Sequence, residues 1–269
     1  MFKRTCTDLT KIPKEKVRQW LTTIESVIFD ADGVLWHLNR PINGAVETFN
    51  MIKSFGQAGS SARRGSKRRR TSSGSRPLSM SWPRQNICSF SVGKEKLLKP
   101  MEQFAKDMYL DHEVGAVIIG KDESFNVPKI IRASSYLQEP KVLFLGTCLD
   151  TAYPVGKNRM IVGAGAMVAA VKAITGRMPL ILGKPNPLMV EQLLQCGVLK
   201  RESTLMVGDT LYTDILFASN CGFQSLFVGT GVSILKEVRQ ICNDEGHSKV
   251  DMIPDTYLPS LGHLREFLC

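Results

Sequence analysis

The chain has 269 residues, 43% of them hydrophobic and 22% charged, with a net charge of +10: an ordinary globular composition, long enough for one large domain or two modest ones. No window approaches the ~18 uninterrupted apolar residues of a membrane span, and the opening MFKRTCTDLTKIPKEKVRQWL lacks the apolar core of a signal peptide, so a cytoplasmic location is expected. Seven cysteines, at positions 6, 88, 148, 196, 221, 242 and 269, form no CxxC or Cys/His cluster, which argues against a disulfide framework or a zinc site.

The charge is concentrated. Seven Arg/Lys fall between Ser60 and Arg76 with no acid among them, leaving +3 for the rest of the chain, so nucleic acid is not expected as the main partner. The run leaves a nuclear location open.

In chain order, the first 24 residues read as a polar lead-in with an amphipathic helix near Pro13 to Thr22. Val27, Ile28 and Phe29 read as a fully buried strand of a parallel sheet, delivering Asp30 and Asp32, with Gly33 permitting a tight turn. Burying two carboxylates without a counter-charge is costly, so a cation or a catalytic task is implied; an Asp-Gly turn between strands is the plainer alternative. Pro41 to Phe55 carries a helical apolar stripe closed by Gly56.

A βα unit should then return to the sheet. Instead QAGSSARRGSKRRRTSSGSRP, residues 57 to 77, combines low apolarity with dense like charge, the mark of a disordered segment. It reads as a solvated linker or as a basic localisation or nucleic-acid patch. Order resumes after about Asn86: a helix over Leu97 to Met108, a strand over Val114 to Ile119, a helix over Phe125 to Leu137, a strand over Val142 to Leu145 and a helix over Gly163 to Ile174. Strands at Leu180 to Leu182, Leu205 to Val207 and Ser225 to Val228 follow, then a short unit around Tyr257. Alternating strands and helices predict a parallel α/β sheet.

Three later spots match the first aspartate pair: Lys184 in PLILGKPNP, Asp209 in TLMVGDTLYTDI, and Asp214 five residues on. All follow predicted strands, where open α/β sheets assemble their sites. Singly, Lys184 could be a solvated helix-start residue and Asp214 a helix cap; together, four acids and one lysine can bind Mg²⁺ and a phosphate. His37, His112, His247 and His263 show no ligand spacing, and Gly163 to Ala170 lacks the pattern of a phosphate loop.

With these motifs in this order, the sequence resembles the haloacid-dehalogenase-like phosphatases, specifically the subgroup of 4-nitrophenyl phosphatase, phosphoglycolate phosphatase and pyridoxal phosphatase. DADGVLW looks like the family's first motif, LGKP its lysine motif and GDTLYTDI its metal motif, while GAVIIGKDESF, LFLGTCLD and GAGAMVAAV are similar to the subgroup's cap. The resemblance implies a Rossmann-like core over 26–56 and 178–269, an inserted α/β cap over 86–177, a lead-in over 1–25 and a basic segment over 57–85. It implies Asp30 as the nucleophile that forms an aspartyl-phosphate and Asp32 as general acid and base. Mg²⁺ would be held by Asp30, the Asp32 backbone carbonyl and Asp209, with Asp214 orienting these groups. Lys184 would neutralise the transferring phosphoryl group, which Gly33 would also contact, and the substrate would be a small phosphorylated metabolite. A homodimer through the cap is a further implication.

One family motif is missing. The second core strand normally ends in a Ser or Thr followed by Asn residues that grip the phosphate; here that position falls in the basic run, with Ser60, Ser61 or Ser66 as the available stand-ins. The segment is read either as a divergent insertion or as a wrong-frame or unspliced stretch. Its loss would leave the Asp30 strand with an unpaired edge and remove donors worth about 3 kcal/mol each. A catalytically impaired member acting as a binding protein is therefore the rival reading.

Overall fold

A computed structural model describes residues 2–37, 40–62, 97–154, 158–242 and 249–268. The principal elements in chain order are β1 (Thr7–Asp8), α1 (Lys14–Leu21), β2 (Ser26–Phe29), β3 (Trp36–His37), β4 (Arg40–Pro41), α2 (Ala45–Ala62) and α3 (Met101–Asp107). Next come β5 (Ala116–Ile119), α4 (Val127–Tyr136), β6 (Leu143–Gly146), β7 (Ala152–Pro154), β8 (Met160–Val162), α5 (Ala164–Thr175), β9 (Leu180–Ile181) and α6 (Glu191–Gln195). The chain closes with β10 (Thr204–Gly208), α7 (Leu216–Cys221), β11 (Gln224–Val228), α8 (Leu235–Cys242), β12 (Thr256–Leu258) and α9 (Arg265–Leu268). Two compact units result, Met1–Ser66 with Lys184–Cys269, and Lys67–Gly183.

The first unit is built on a parallel sheet of order β1-β12-β11-β10-β2. β10 and β11 are buried along their whole length, as central parallel strands covered on both faces must be. Alternation sends Leu205, Val207, Leu226 and Val228 into one core with Leu9, Val17, Trp20 and Leu261. Met206 turns the other way to meet Phe217 and Phe223, and Phe227 to meet Leu211, Ile215 and Val238. Residues 1–25, read from sequence as a lead-in, are structural: β1 extends the sheet, Leu9 and Val17 are fully buried, and the Trp20 indole N–H donates to Gln224 at 2.6 Å.

β2 lies at the sheet edge, hydrogen-bonded only to β10 among the described residues. The expectation of full burial is corrected: Val27, Ile28 and Phe29 are half-buried, with β10 as the one strand flanking β2 among the described residues. A second correction concerns α2, which continues past Gly56 to Ala62. A helical glycine costs only about 1 kcal/mol relative to alanine, and the following Gln57, Ala58 and Ala62 tolerate a helix. Residues 57–62 of the expected disordered segment are therefore helical. The side chains of Ser60 and Ser61, and all of 63–96 with Ser66 and the arginine run, lie outside the described residues.

The second unit carries a parallel sheet of order β5-β6-β9 and an antiparallel pair, β7 and β8, that the sequence reading omitted. Strand Leu180–Ile181, expected in the same sheet as Asp30, pairs instead with β6 in this unit. One face of the sheet packs Ile119 and Phe144 against Tyr136, Met167, Val168 and Val171. The opposite face leaves Ile118 64%, Leu143 58% and Leu180 49% exposed. Among the described residues, no helix is long and apolar enough to cross a membrane.

Candidate active site

Asp30, Lys184, Asp209 and Asp214, four of the residues singled out in sequence, converge at the carboxyl ends of β2 and β10, adjacent strands in the first unit. Asp30 follows β2, and its backbone N–H donates to Val207 on β10 at 2.9 Å. Asp209 follows β10 and is 2% exposed. Lys184, at the start of the returning chain, donates from Nζ to Asp30 Oδ1 at 2.5 Å and to Asp214 Oδ1 at 2.6 Å.

Asp214 reaches the cluster through a π-helical turn, Leu211–Ile215, that precedes α7; such bulges redirect one side chain out of helical phase. Its Oδ2 accepts the backbone N–H groups of Asp209 and Thr210, both at 3.1 Å. Gly208 makes room: a Cβ there would lie 2.1 Å from the Asp214 Cβ. With one oxygen on the backbone and the other on Lys184, Asp214 ties the lysine to the Asp209 loop.

Asp30, Asp209 and Asp214 each present an oxygen within 4.8 Å of the others. Lys184 is the one cation paired with them among the described residues, so three carboxylates face a single positive charge. Burial raises the Asp209 carboxyl above the ordinary range, opposed by the Val232 N–H and reinforced by Asp30. Burial likewise pushes Asp214 up to about 7 against the pull of Lys184, with Asp30 and Asp209 adding to the rise. Burial alone would lower Lys184, but Asp214 and then Asp30 outweigh it and hold the ammonium above its usual range. An all-oxygen donor set with excess negative charge fits Mg²⁺.

Asp32 stands apart from this cluster. It is exposed, and its carboxylate has no hydrogen-bond or ion-pair partner among the described residues. Gly33 has φ +88°, a conformation that favours glycine, and a Cβ there would meet Asp209 Oδ2 at 2.6 Å. The tight turn expected at this glycine is therefore also a close approach to a carboxylate.

Sequence reasoning missed the segment after β11. Val232 N–H donates to Asp209 Oδ2 at 2.7 Å, Ser233 N–H to the Asp209 carbonyl at 3.1 Å, and Leu211 N–H to Ser233 Oγ at 3.2 Å. A Cβ on Gly231 would lie 1.7 Å from Asp209 Oδ2. The signal was the Gly-Thr-Gly at 229–231, directly after an apolar strand.

A parallel sheet with acids and one lysine gathered where its strands end defines an α/β enzyme of the cation-binding, anion-handling class. A family model described as HAD-hydrolase-like matches residues 181–261. The chain is 30% identical to phosphoglycolate phosphatase 1A, chloroplastic, of Arabidopsis thaliana, covering 81% of this chain and 72% of that one. It is 28% identical to human glycerol-3-phosphate phosphatase, covering 94% of each. A 4-nitrophenylphosphatase from Thermotoga maritima shares the fold, with TM-score 0.61 and 23% identity over 91% of this chain and 98% of that chain. The chain belongs to the haloacid-dehalogenase-like hydrolases, among their phosphatases.

Proposed function

We propose that the protein is a Mg²⁺-dependent phosphatase of small phosphate monoesters, of the 4-nitrophenyl phosphate, 2-phosphoglycolate, glycerol phosphate or pyridoxal phosphate class, working through an aspartyl-phosphate on Asp30. The observation that carries this is Lys184 Nζ held between Asp30 and Asp214, with Asp209 beside them. The core is assigned to the first unit, Met1–Ser66 with Lys184–Cys269, and the cap to the second, Lys67–Gly183.

Lys184 occupies Asp30 Oδ1 and leaves the second carboxylate oxygen to attack phosphorus. As that O–P bond forms, the ester O–P bond breaks, and Asp32 gives its proton to the departing oxygen. Water then attacks the aspartyl-phosphate, Asp32 takes the water's proton, and inorganic phosphate leaves with Asp30 regenerated. The exposure of Asp32 suits a group that exchanges protons with leaving group and water. Lys184 neutralises charge on the transferring oxygens, and Asp214 keeps the ammonium in place. Mg²⁺, held by the Asp30 and Asp209 carboxylates and the Asp32 backbone carbonyl, would supply positive charge against the phosphoryl oxygens.

The absence from the sequence of the family's second motif favours one other reading, a metal-binding member with impaired turnover. Release of phosphate from 4-nitrophenyl phosphate, 2-phosphoglycolate and glycerol 3-phosphate, measured with and without Mg²⁺ beside direct Mg²⁺ binding, separates the two. Metal-dependent release supports the phosphatase; binding without release supports the impaired member. A homodimer through the second unit is supported by the exposed apolar face at Ile118, Leu143 and Leu180.

A further inference from the structure

The loop at residues 229–233 touches Asp209 and Gly33, the residue that follows Asp32. Its downstream half grips Asp209: Val232 N–H donates to Oδ2 and Ser233 N–H to the carbonyl. Its upstream half reaches the loop after β2, where Thr230 Oγ1 donates to the Gly33 carbonyl at 2.5 Å. The loop is itself anchored, since Gly229 N–H donates to the Leu258 carbonyl at 3.1 Å. No side chain separates the parts, because Gly33 and Gly231 lie against each other: a Cβ on Gly33 would sit 3.1 Å from the Gly231 Cα.

Gly33 is thereby pinned on both sides. Its N–H donates to the Trp36 carbonyl at 2.7 Å, and its own carbonyl is held by Thr230. A trans peptide is planar, with C=O and N–H pointing in opposite directions. The first bond therefore turns the Asp32 carbonyl away from Trp36, and the second fixes the following peptide plane. Two residues further along the strap, Val232 fixes the Asp209 carboxylate.

We propose that Thr230 is a positioning residue that sets the spacing between the Asp32 backbone carbonyl and the Asp209 carboxylate, and so the affinity of this protein for a divalent cation. The proposal rests on the phosphatase reading for its assignment of those two groups as cation donors. Thr230 touches neither substrate nor metal; it acts through the Gly33 carbonyl.

The test is calorimetric titration of the full chain with Mg²⁺, comparing wild type, Thr230→Val and Thr230→Ser, with circular dichroism to verify the fold of each. Valine keeps the shape and removes the hydroxyl, leaving a carbonyl without its donor, so Mg²⁺ affinity is expected to fall about tenfold. Serine keeps the donor and is expected to bind within about twofold of wild type. If folded Thr230→Val binds Mg²⁺ as wild type does, the proposal is overturned while the phosphatase reading stands. If Thr230→Val fails to fold, Thr230→Ala replaces it under the same criteria. A Thr230→Ser protein as weak as the valine variant overturns the role of the hydroxyl, and a wild type that binds no Mg²⁺ overturns both readings.

Discussion

Gly231→Ala is the most economical perturbation of the site. Gly231 is not in the left-handed region, so the substitution strains no backbone dihedral and acts through volume alone. Its new Cβ would lie 1.7 Å from Asp209 Oδ2 and 2.2 Å from Cγ, and the carboxylate must retreat by about 1.7 Å to reach ordinary contact distance. That retreat breaks the 2.7 Å bond from Val232 N–H, and a hydrogen bond to a charged group contributes about 1.5–3 kcal/mol. At about 1.4 kcal/mol per tenfold change, Mg²⁺ affinity should fall about 10- to 100-fold. Turnover should fall by about 10²-fold as well, since a displacement of about 1 Å costs that much. The assay is Mg²⁺ titration followed calorimetrically, with the Mg²⁺ dependence of 4-nitrophenyl phosphate hydrolysis measured on the same samples. Gly115→Ala, where a Cβ meets nothing within 4 Å, serves as the control. A folded Gly231→Ala protein binding Mg²⁺ within twofold of wild type would refute the reasoning.

Asp30→Asn should abolish turnover to the limit of detection in a phosphate-release assay while the protein remains folded, because an amide oxygen is too weak a nucleophile. Lys184→Met leaves the carboxylates of Asp30 and Asp214 without their shared cation, and metal-free urea melts should show a loss of about 3–5 kcal/mol that added Mg²⁺ partly restores. The Asp214 carboxyl is pushed up to about 7 by burial, above its value in an unfolded chain near 4, so the metal-free folded state holds that proton more tightly. This stabilisation is complete below about pH 4 and is lost as pH rises through about 7. The metal-free melting midpoint should therefore decline over that window, and Asp214→Asn should flatten the decline. Ile118→Lys with Leu143→Lys should convert a dimer to a monomer by light scattering, whereas an unchanged mass would remove this face as the interface.

Much of the site was legible because its chemistry is local in sequence. Asp30, Asp209 and the Asp214 turn each follow an apolar strand, and the ends of adjacent parallel strands are neighbours in space. What escaped notice depends on packing across the sheet. The roles of Thr230, Gly231 and Val232 arise only because β11 lies beside β10, so Gly-Thr-Gly after an apolar strand signals a close approach without naming Asp209 as its partner. The opening residues escaped because β1 is two residues long, so its pairing with β12 leaves no periodicity to read. Leu180–Ile181 is likewise too short to reveal which sheet it joins.

The central claim is that Asp30 carries the phosphoryl group, and rapid acid quenching during turnover of 4-nitrophenyl phosphate with Mg²⁺, followed by peptide mass spectrometry, tests it most directly. The account predicts a phosphoryl adduct on the peptide containing Asp30, removed by hydroxylamine and absent from Asp30→Asn. Metal-dependent hydrolysis with the adduct on another residue, or hydrolysis that survives in Asp30→Asn, would contradict it.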